Sequence, residues 1–229
     1  MQLALTEDQE LIAKTAADFV SEKSPISRLR ELRDAGDPLG FSRPLWKEMA
    51  ELGWVGIPLP EAHGGAGLGL AELTVVLEAL GRTLAPEPFL SSVLLAGEAL
   101  ALAGTEAQQE AWLPGIAAGE KLGTLAFQEA RSRYDLHHVA TRAESEGDGW
   151  RLTGEKVQVL DAAAADLLVV SARTAGEAGD AEGIGLFLVP TGTAGVTITP
   201  QTRVDSRAAA LVRLDGVTVP ADAALGGAG

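Results

Sequence analysis

Apolar residues recur at helical spacing through the first half of the chain. Behind a capping box at Thr6–Gln9, apolar side chains fall on one helical face as far as Val20. Start and stop residues predict further helices over Ile26–Asp34, after Ser42, over Leu70–Leu84, over Phe89–Ala103 and, behind a second capping box at Thr105–Gln108, over Glu106–Trp112. Leu113-Pro114 is expected to end the last helix, because proline removes a helical hydrogen bond. The first half therefore predicts an all-α domain.

The second half changes to the period-two alternation and short apolar runs that are typical of β-strands. A glycine-rich turn at residues 147–149 and a polar loop after Arg173 separate the runs. Strands are predicted over Thr124–Gln128, Val139–Glu144, Trp150–Thr153, Val157–Leu160, Leu167–Ala172, Ile184–Pro190, Val196–Pro200 and Ala208–Val219. Helices followed by strands predict an α+β protein.

Composition narrows the class of function. The chain has 229 residues, 46% of them hydrophobic, and a formal net charge of −14. Such an acidic chain argues against nucleic-acid binding, which needs clustered Lys and Arg. No cysteine is present, so disulfides and thiolate chemistry are excluded. No apolar run is long enough for a membrane span and Met1 opens no signal-peptide pattern, so a cytoplasmic location is expected.

Three stretches of the sequence carry a family resemblance. They are GWVGIPLPEAHGGAGLG at residues 53–69, GTEAQQEAWLPGIAAGEKLGTLAFQE at residues 104–129, and the run from Leu122 to Arg173. Together they resemble the acyl-CoA dehydrogenases. The resemblance implies an N-terminal all-α domain over residues 1–121 and a β-barrel or sandwich middle domain over residues 122–229. The family's C-terminal helical bundle would follow Gly229, and we expect it to be absent from this chain.

The resemblance also allows the flavin-contacting positions of the family to be compared one by one. The framework residues Gly154, Lys156, Asp166, Glu129 and Asp135 match the family. The contact positions do not. Gln128, after Phe127, replaces a threonine that bonds the flavin ring; Arg133-Tyr134 replaces a small Gly-Ser pair; Gln158 replaces an aromatic residue; and Leu160 replaces a second threonine.

The replacements predict a flavin half-site that is lost or altered. A leucine cannot donate a hydroxyl hydrogen bond, and Arg-Tyr adds bulk where the backbone must come close to the ligand. The alternative is a divergent but working site, in which Arg133 contacts phosphate and Gln128 and Gln158 contact the ring.

No residue is assigned as a catalytic base, because the family's glutamate lies in the third domain. No metal site is predicted either. His137 and His138 are expected to be adjacent strand residues with side chains on opposite faces, which makes them poor metal ligands.

Two functions follow from the resemblance. The chain is expected to be the supporting subunit of a heteromeric, FAD-dependent acyl-CoA dehydrogenase. A paralogous partner subunit would then hold most of the FAD, and the acyl-CoA would be bulky, such as a steroid side-chain thioester. The alternative is a non-catalytic scaffold or acyl-CoA-binding protein. Under either hypothesis we expect an obligate oligomer, because surface that the third domain covers in the family would need another partner.

Overall fold

The computed structural model describes residues 4–227, and the first half of these is helical. The α-helices are α1 (Glu7–Lys23), α2 (Ile26–Ala35), α3 (Arg43–Glu51), α4 (Leu70–Arg82), α5 (Glu98–Ala103) and α6 (Glu106–Ala117). A π-helical segment, Phe89–Gly97, leads directly into α5. Capping boxes begin α1 at Thr6 and α6 at Thr105, as the sequence predicts.

The second half forms one mixed sheet. Its strands are β1 (Gly123–Ala126), β2 (Arg142–Glu146), β3 (Gly149–Leu160), β4 (Leu167–Arg173), β5 (Ile184–Pro190), β6 (Val196–Gln201) and β7 (Ala209–Pro220). β4 pairs in parallel with β1 and with the start of β2 along one edge, and antiparallel with β5 along the other. β2, β3, β7 and β6 continue as antiparallel neighbours. The predicted order, an α-helical domain followed by a β-domain, is confirmed.

The two halves share buried surface. One core lies among the helices, where Trp46 packs edge-on against Phe89 with ring centroids 4.9 Å apart. A second core lies on the sheet, where Trp150 meets Phe187 at 5.3 Å. A third joins helical leucines such as Leu113 to residues of β4 and β5. Because apolar burial contributes about 25 cal/mol per Å², this third core holds the sheet firmly against the helices.

Two helix predictions are wrong in detail. Helix α6 does not end at Leu113-Pro114, but runs to Ala117 with Pro114 inside it. Leu113 and Ile116 are fully buried there, and their packing offsets the cost of the interior proline, about 3 kcal/mol. The predicted helix Phe89–Ala103 is not a single α-helix either, because its first nine residues form π-type turns.

The strand predictions need two corrections. Trp150–Thr153 and Val157–Leu160 are not separate strands, but parts of the bulged strand β3. β2 starts at Arg142, so His137 and His138 lie in the preceding turn rather than on a strand. The reason is that the backbone carbonyls of this segment are bonded by a side chain, not by a neighbouring strand. Arg173 donates to the carbonyl oxygens of Val139 and His137.

Two negative findings apply to residues 4–227. No helix in this range is both long and apolar enough to cross a bilayer. The same range holds no group of three or more His, Asp or Glu side chains placed to bind a metal ion.

Candidate functional site

Four of the six residues predicted to contact flavin or acyl-CoA lie around one cavity. This cavity, called here the proximal cavity, has a volume of about 360 Å³. Phe127 and Gln128 reach it from the segment that follows β1, and Gln158 and Leu160 from the end of β3. The remaining lining residues are Leu90, Leu95, Leu125 and Arg203. The walls are therefore mostly hydrocarbon, with two amides and one guanidinium.

The backbone brings these two segments together and turns their side chains. The Val157 amide donates to the Gln128 carbonyl at 2.8 Å, which fastens the segment after β1 to β3. The register of β3 against β7 shifts between Lys156 and Val159, and Gln158 within this bulge has φ +56°. Bulges re-aim side chains and often border functional sites. The bulge therefore accounts for the placement of Gln158 at the cavity.

Arg133 and Tyr134 are not among the lining residues of the proximal cavity. Both are exposed in a turn between β1 and β2, and the Tyr134 side chain is fully accessible to solvent. Arg133 has φ +48°, a left-handed conformation that glycine adopts without strain. The turn thus keeps the backbone shape that suits the family's glycine, while it carries a bulky residue.

A buried ionic network supports the segment after β1. Lys156 is inaccessible to solvent, and its Nζ lies 2.7 Å from Glu129 Oε1 and 3.0 Å from Ser171 Oγ. Glu129 also accepts from the Ala140 amide and from the amide and hydroxyl of Thr141. Since Glu129 directly follows Gln128, this network fixes one wall of the cavity.

The pKa values in this network follow from burial and pairing. Burial lowers the pKa of Lys156, although the bond and charge of Glu129 act against it. Burial alone would raise the pKa of Glu129, but Lys156 and Thr141 bring it below its ordinary value. The pair is therefore a structural ion pair, in which the carboxylate is fully engaged and is not available as a base.

A second buried carboxyl group directly follows the lining residue Leu160. Asp161 is 3% exposed, and its Oδ2 accepts from Ser91 Oγ at 2.5 Å. Burial raises the pKa of Asp161, against the opposing effects of the Ser91 bond and of Arg207 and Arg203. Ser91 belongs to the π-helical segment, where the neighbouring Ser92 accepts from the Gly123 amide. The π-type turns therefore join the helical half to both β1 and β3.

Sequence reasoning missed four lining residues of the cavity, of which Leu125 belongs to β1. Leu90 and Leu95 come from the π-helical segment, and Arg203 comes from the loop between β6 and β7. The predicted helix gave no signal that Leu90 would remain 45% exposed beside the cavity. A lone arginine in a polar loop has no sequence signature, because its position depends on long-range packing.

The fold and cavity define a helical domain and a β-domain that meet around an apolar pocket with a few polar groups. Such a pocket suits a small ligand rather than a macromolecule. The family models described as acyl-CoA dehydrogenase, N-terminal domain, and acyl-CoA dehydrogenase, middle domain, match residues 6–120 and 124–217. The chain belongs to the acyl-CoA dehydrogenase family.

Curated relatives agree with this assignment. The chain is 30% identical over 231 residues to the probable acyl-CoA dehydrogenase YngJ of Bacillus subtilis, covering 99% of this chain and 60% of that protein. It is 36% identical over 228 residues to the acyl-CoA dehydrogenase FadE12 of Mycobacterium tuberculosis, covering 96% of this chain and 57% of that one. The chain thus spans 60% or less of the length of the curated relatives that it matches.

Solved structures are similar over nearly the whole chain. The ChsE4–ChsE5 complex from Mycobacterium tuberculosis matches with a TM-score of 0.87 and 30% identity over 99% of this chain and 59% of that one. The Tcur3481–Tcur3483 steroid ACAD matches at 0.85 and 27% over 99% and 59%. A glutaryl-CoA dehydrogenase from Mycobacterium smegmatis in complex with FADH2 matches at 0.87 and 27% over 98% and 56%.

Proposed function

We propose that this chain is the supporting subunit of a heteromeric, FAD-dependent acyl-CoA dehydrogenase, and that its own flavin half-site is altered. The observation that carries the proposal is the clustering of Phe127, Gln128, Gln158 and Leu160 around one cavity. Gln128, Gln158 and Leu160 are three of the five positions at which the sequence departs from the family's flavin contacts, and Phe127 precedes the first of them. Three substitutions that line one cavity would alter one site.

The residues present fit a flavin ring only in part. The amides of Gln128 and Gln158 each offer donors and an acceptor, which suits the polar edge of a flat heterocycle. Leu160 offers only hydrocarbon there. The exposed side chains of Arg133 and Tyr134 lie outside the cavity lining. The chain would thus contribute part of the ring contacts, and a paralogous partner subunit would hold most of the FAD.

The two steps of the dehydrogenation would depend on groups from different subunits. When bound, FAD accepts a hydride from the acyl chain, and a carboxylate must remove a proton from the neighbouring carbon. Among the described residues that line the proximal cavity, none is an aspartate or glutamate. This chain would therefore orient the acyl group and keep water out, while the base comes from another part of the assembly.

The heteromeric arrangement has support from the cavity's surroundings and from similar structures. Leu90 and Phe127, which line the cavity, are 45% and 36% exposed, and Val204, next to the lining residue Arg203, is fully exposed. Exposed apolar side chains around a cavity are typical of interaction sites. Two of the similar structures are complexes of two different subunits, and one is a steroid ACAD. We therefore include a bulky, steroid-like acyl-CoA in the proposal.

Restoring the family's residues tests the altered half-site. The double variant Gln128→Thr/Leu160→Thr returns two hydroxyls to the cavity, and we expect it to bind FAD about tenfold more tightly than the wild-type chain, because one charged or well-placed hydrogen bond contributes about 1.4 kcal/mol. Fluorescence titration measures the affinity. Leu95→Thr is the matched control, since it adds a hydroxyl to the same cavity at a position that is not one of the six predicted contacts. An equal gain in the control would contradict the assignment.

The second candidate function is a non-catalytic acyl-CoA-binding protein. The absence of a carboxylate from the described lining of the proximal cavity favours it. Binding of acyl-CoA and of FAD, measured for the chain alone and in complex with the proposed partner subunit, separates the two candidates. Acyl-CoA binding with no FAD binding in either form would favour the binding protein.

A further inference from the structure

We propose that Arg203 makes this chain select acyl groups that carry a carboxylate at the end remote from the thioester. The inference rests on the proposed function, because it requires that the cavity receives an acyl-CoA. It names a substrate class and a specificity-determining residue that the family membership does not supply.

A second cavity lies next to the proximal one. This distal cavity has a volume of about 330 Å³ and shares Leu90, Leu160 and Arg203 with the proximal cavity. Since the same three side chains line both, the two cavities are neighbours; together they are called the groove. An acyl chain that enters beside Gln128 and Gln158 would pass Leu90 and Leu160 before it reaches the distal cavity.

The two ends of this groove differ in chemistry. The proximal walls carry hydrocarbon and neutral amides, with Arg203 at the junction. The distal cavity adds the guanidinium of Arg207 and the carboxyl groups of Glu87 and Asp205. The charged groups therefore gather at the end where the tail of an acyl chain would lie.

The carboxyl groups at this end are already engaged. Glu87 is 3% exposed and pairs with Arg28 of α2. Asp161, behind the wall, holds Ser91 and lies 3.9 Å from Arg207. Asp205 Oδ2 accepts from Arg203 Nη2 at 2.9 Å. Because the Asp205 side chain is 44% exposed, solvent weakens this pair.

Arg203 therefore keeps donors for a ligand. A guanidinium has five N–H donors in a planar fork that matches a carboxylate, and Asp205 is bonded to only one of its nitrogen atoms. The Arg203 side chain is 28% exposed, so a ligand in the groove would cover it. A hydrocarbon tail would cover the Arg203 N–H groups that Asp205 leaves free and would give them no acceptor, which is unfavourable, whereas a terminal carboxylate would accept from them.

The test compares two thioesters of equal chain length. Suberyl-CoA ends in a carboxylate and octanoyl-CoA ends in a methyl group. We expect calorimetric titration of the protein, purified with any subunit that accompanies it, to show suberyl-CoA binding about tenfold more tightly. Arg203→Gln should reduce the preference to less than about twofold, and Arg203→Lys should restore part of it. Circular dichroism confirms that each variant is folded.

Arg213→Gln is the matched control, since Arg213 is an exposed arginine of β7 outside both cavities. It should keep the wild-type preference. Octanoyl-CoA binding as tightly as suberyl-CoA, or a preference that survives in Arg203→Gln, would overturn the inference and leave the proposed function standing. If neither thioester binds more tightly than free CoA, both the inference and the proposed acyl-CoA role fail.

Discussion

At the scale of single residues, the site depends on buried groups whose charge is fixed by their neighbours. Lys156 is inaccessible to solvent, and its nearest carboxylate, Glu129, is 7% exposed. Neither could stay ionised there without the other, because an isolated buried charge is costly. The pair holds the segment that carries Gln128 next to β3. Removing one member should therefore harm stability more than removing a surface charge.

Lys156→Met tests this directly. It leaves the Glu129 carboxylate buried without its cation, so we expect the free energy of unfolding to fall by about 3–5 kcal/mol. Urea denaturation followed by circular dichroism measures the loss. Lys47→Met, at an exposed position of α3, is the control and should change stability by less than about 0.5 kcal/mol. A similar small effect for Lys156→Met would show that the pair is not important for the fold.

Replacing the buried acid Asp161 should raise stability, whereas replacing Lys156 should lower it. The pKa of this buried acid is raised in the folded protein, mainly by burial and against Ser91, Arg207 and Arg203. Folding then favours its protonated form, so its contribution to stability falls as pH rises from the unfolded value, near 3.8, through the raised one. Asp161→Asn keeps an acceptor for Ser91 and suits the left-handed φ of +51°.

We therefore expect Asp161→Asn to be more stable than the wild type by about 1 kcal/mol at about pH 8, and by almost nothing at about pH 4. Chemical denaturation of both proteins at the two pH values checks this. A gain that is larger in acid than at alkaline pH would contradict the assigned pKa shift.

At the scale of secondary-structure elements, side chains hold irregular segments that strands and helices alone would leave free. Helix α6 does this for the C-terminal segment of the described chain. Gln108 is 8% exposed; its Nε2 donates to the carbonyls of Asp222 at 2.7 Å and Ala224 at 2.8 Å, and its Oε1 accepts from the Gly226 amide at 3.2 Å. One side chain thus fastens three residues to the helix.

Gln108→Ala should release this segment. We expect the Leu225 amide, which donates to the Leu186 carbonyl at 2.8 Å, to exchange its hydrogen about 10- to 100-fold faster, since lost buried hydrogen bonds cost about 1–3 kcal/mol. Hydrogen-exchange mass spectrometry measures the rate. The exposed Glu110→Ala on the same helix should leave it unchanged. Equal exchange in both variants would show that packing alone holds the segment.

At the scale of the whole molecule, local patterns predicted the order of the elements well. The capping boxes at Thr6 and Thr105 placed two helix starts, and the period change after Leu122 placed the sheet. The π-helical segment could not be predicted, because FLSSVLLAG is apolar on most sides and shows no distinct period. Pro114 misled the boundary of α6, because a local cost was offset by distant packing.

In the candidate site, too, some residues could be predicted from the sequence and others could not. The family resemblance pointed to Phe127, Gln128, Gln158 and Leu160, which do meet at one cavity. Arg203 could not be predicted, because the pairing of β6 with β7 brings its loop to the cavity. Residues that are close in sequence to a known motif can be predicted, whereas residues that long-range packing delivers cannot.

The exposed apolar side chains at the cavity lead to a prediction about assembly. We expect the chain to form oligomers at micromolar concentration, because the exposed side chains of Leu90 and Phe127 need cover from a partner. Light scattering coupled to size exclusion measures the mass, and Leu90→Gln should shift the distribution toward smaller species. A monodisperse monomer of 23.6 kDa would count against the proposed subunit role.

The most direct test of the central claim is the absorbance spectrum of the purified protein, alone and after co-expression with the proposed paralogous partner. An altered half-site predicts no flavin bands for the chain alone and about one flavin for each pair of subunits in the complex. Flavin bands at about one per chain in the lone protein would contradict the claim. In that case Gln128 and Gln158 would be the contacts of a complete flavin site.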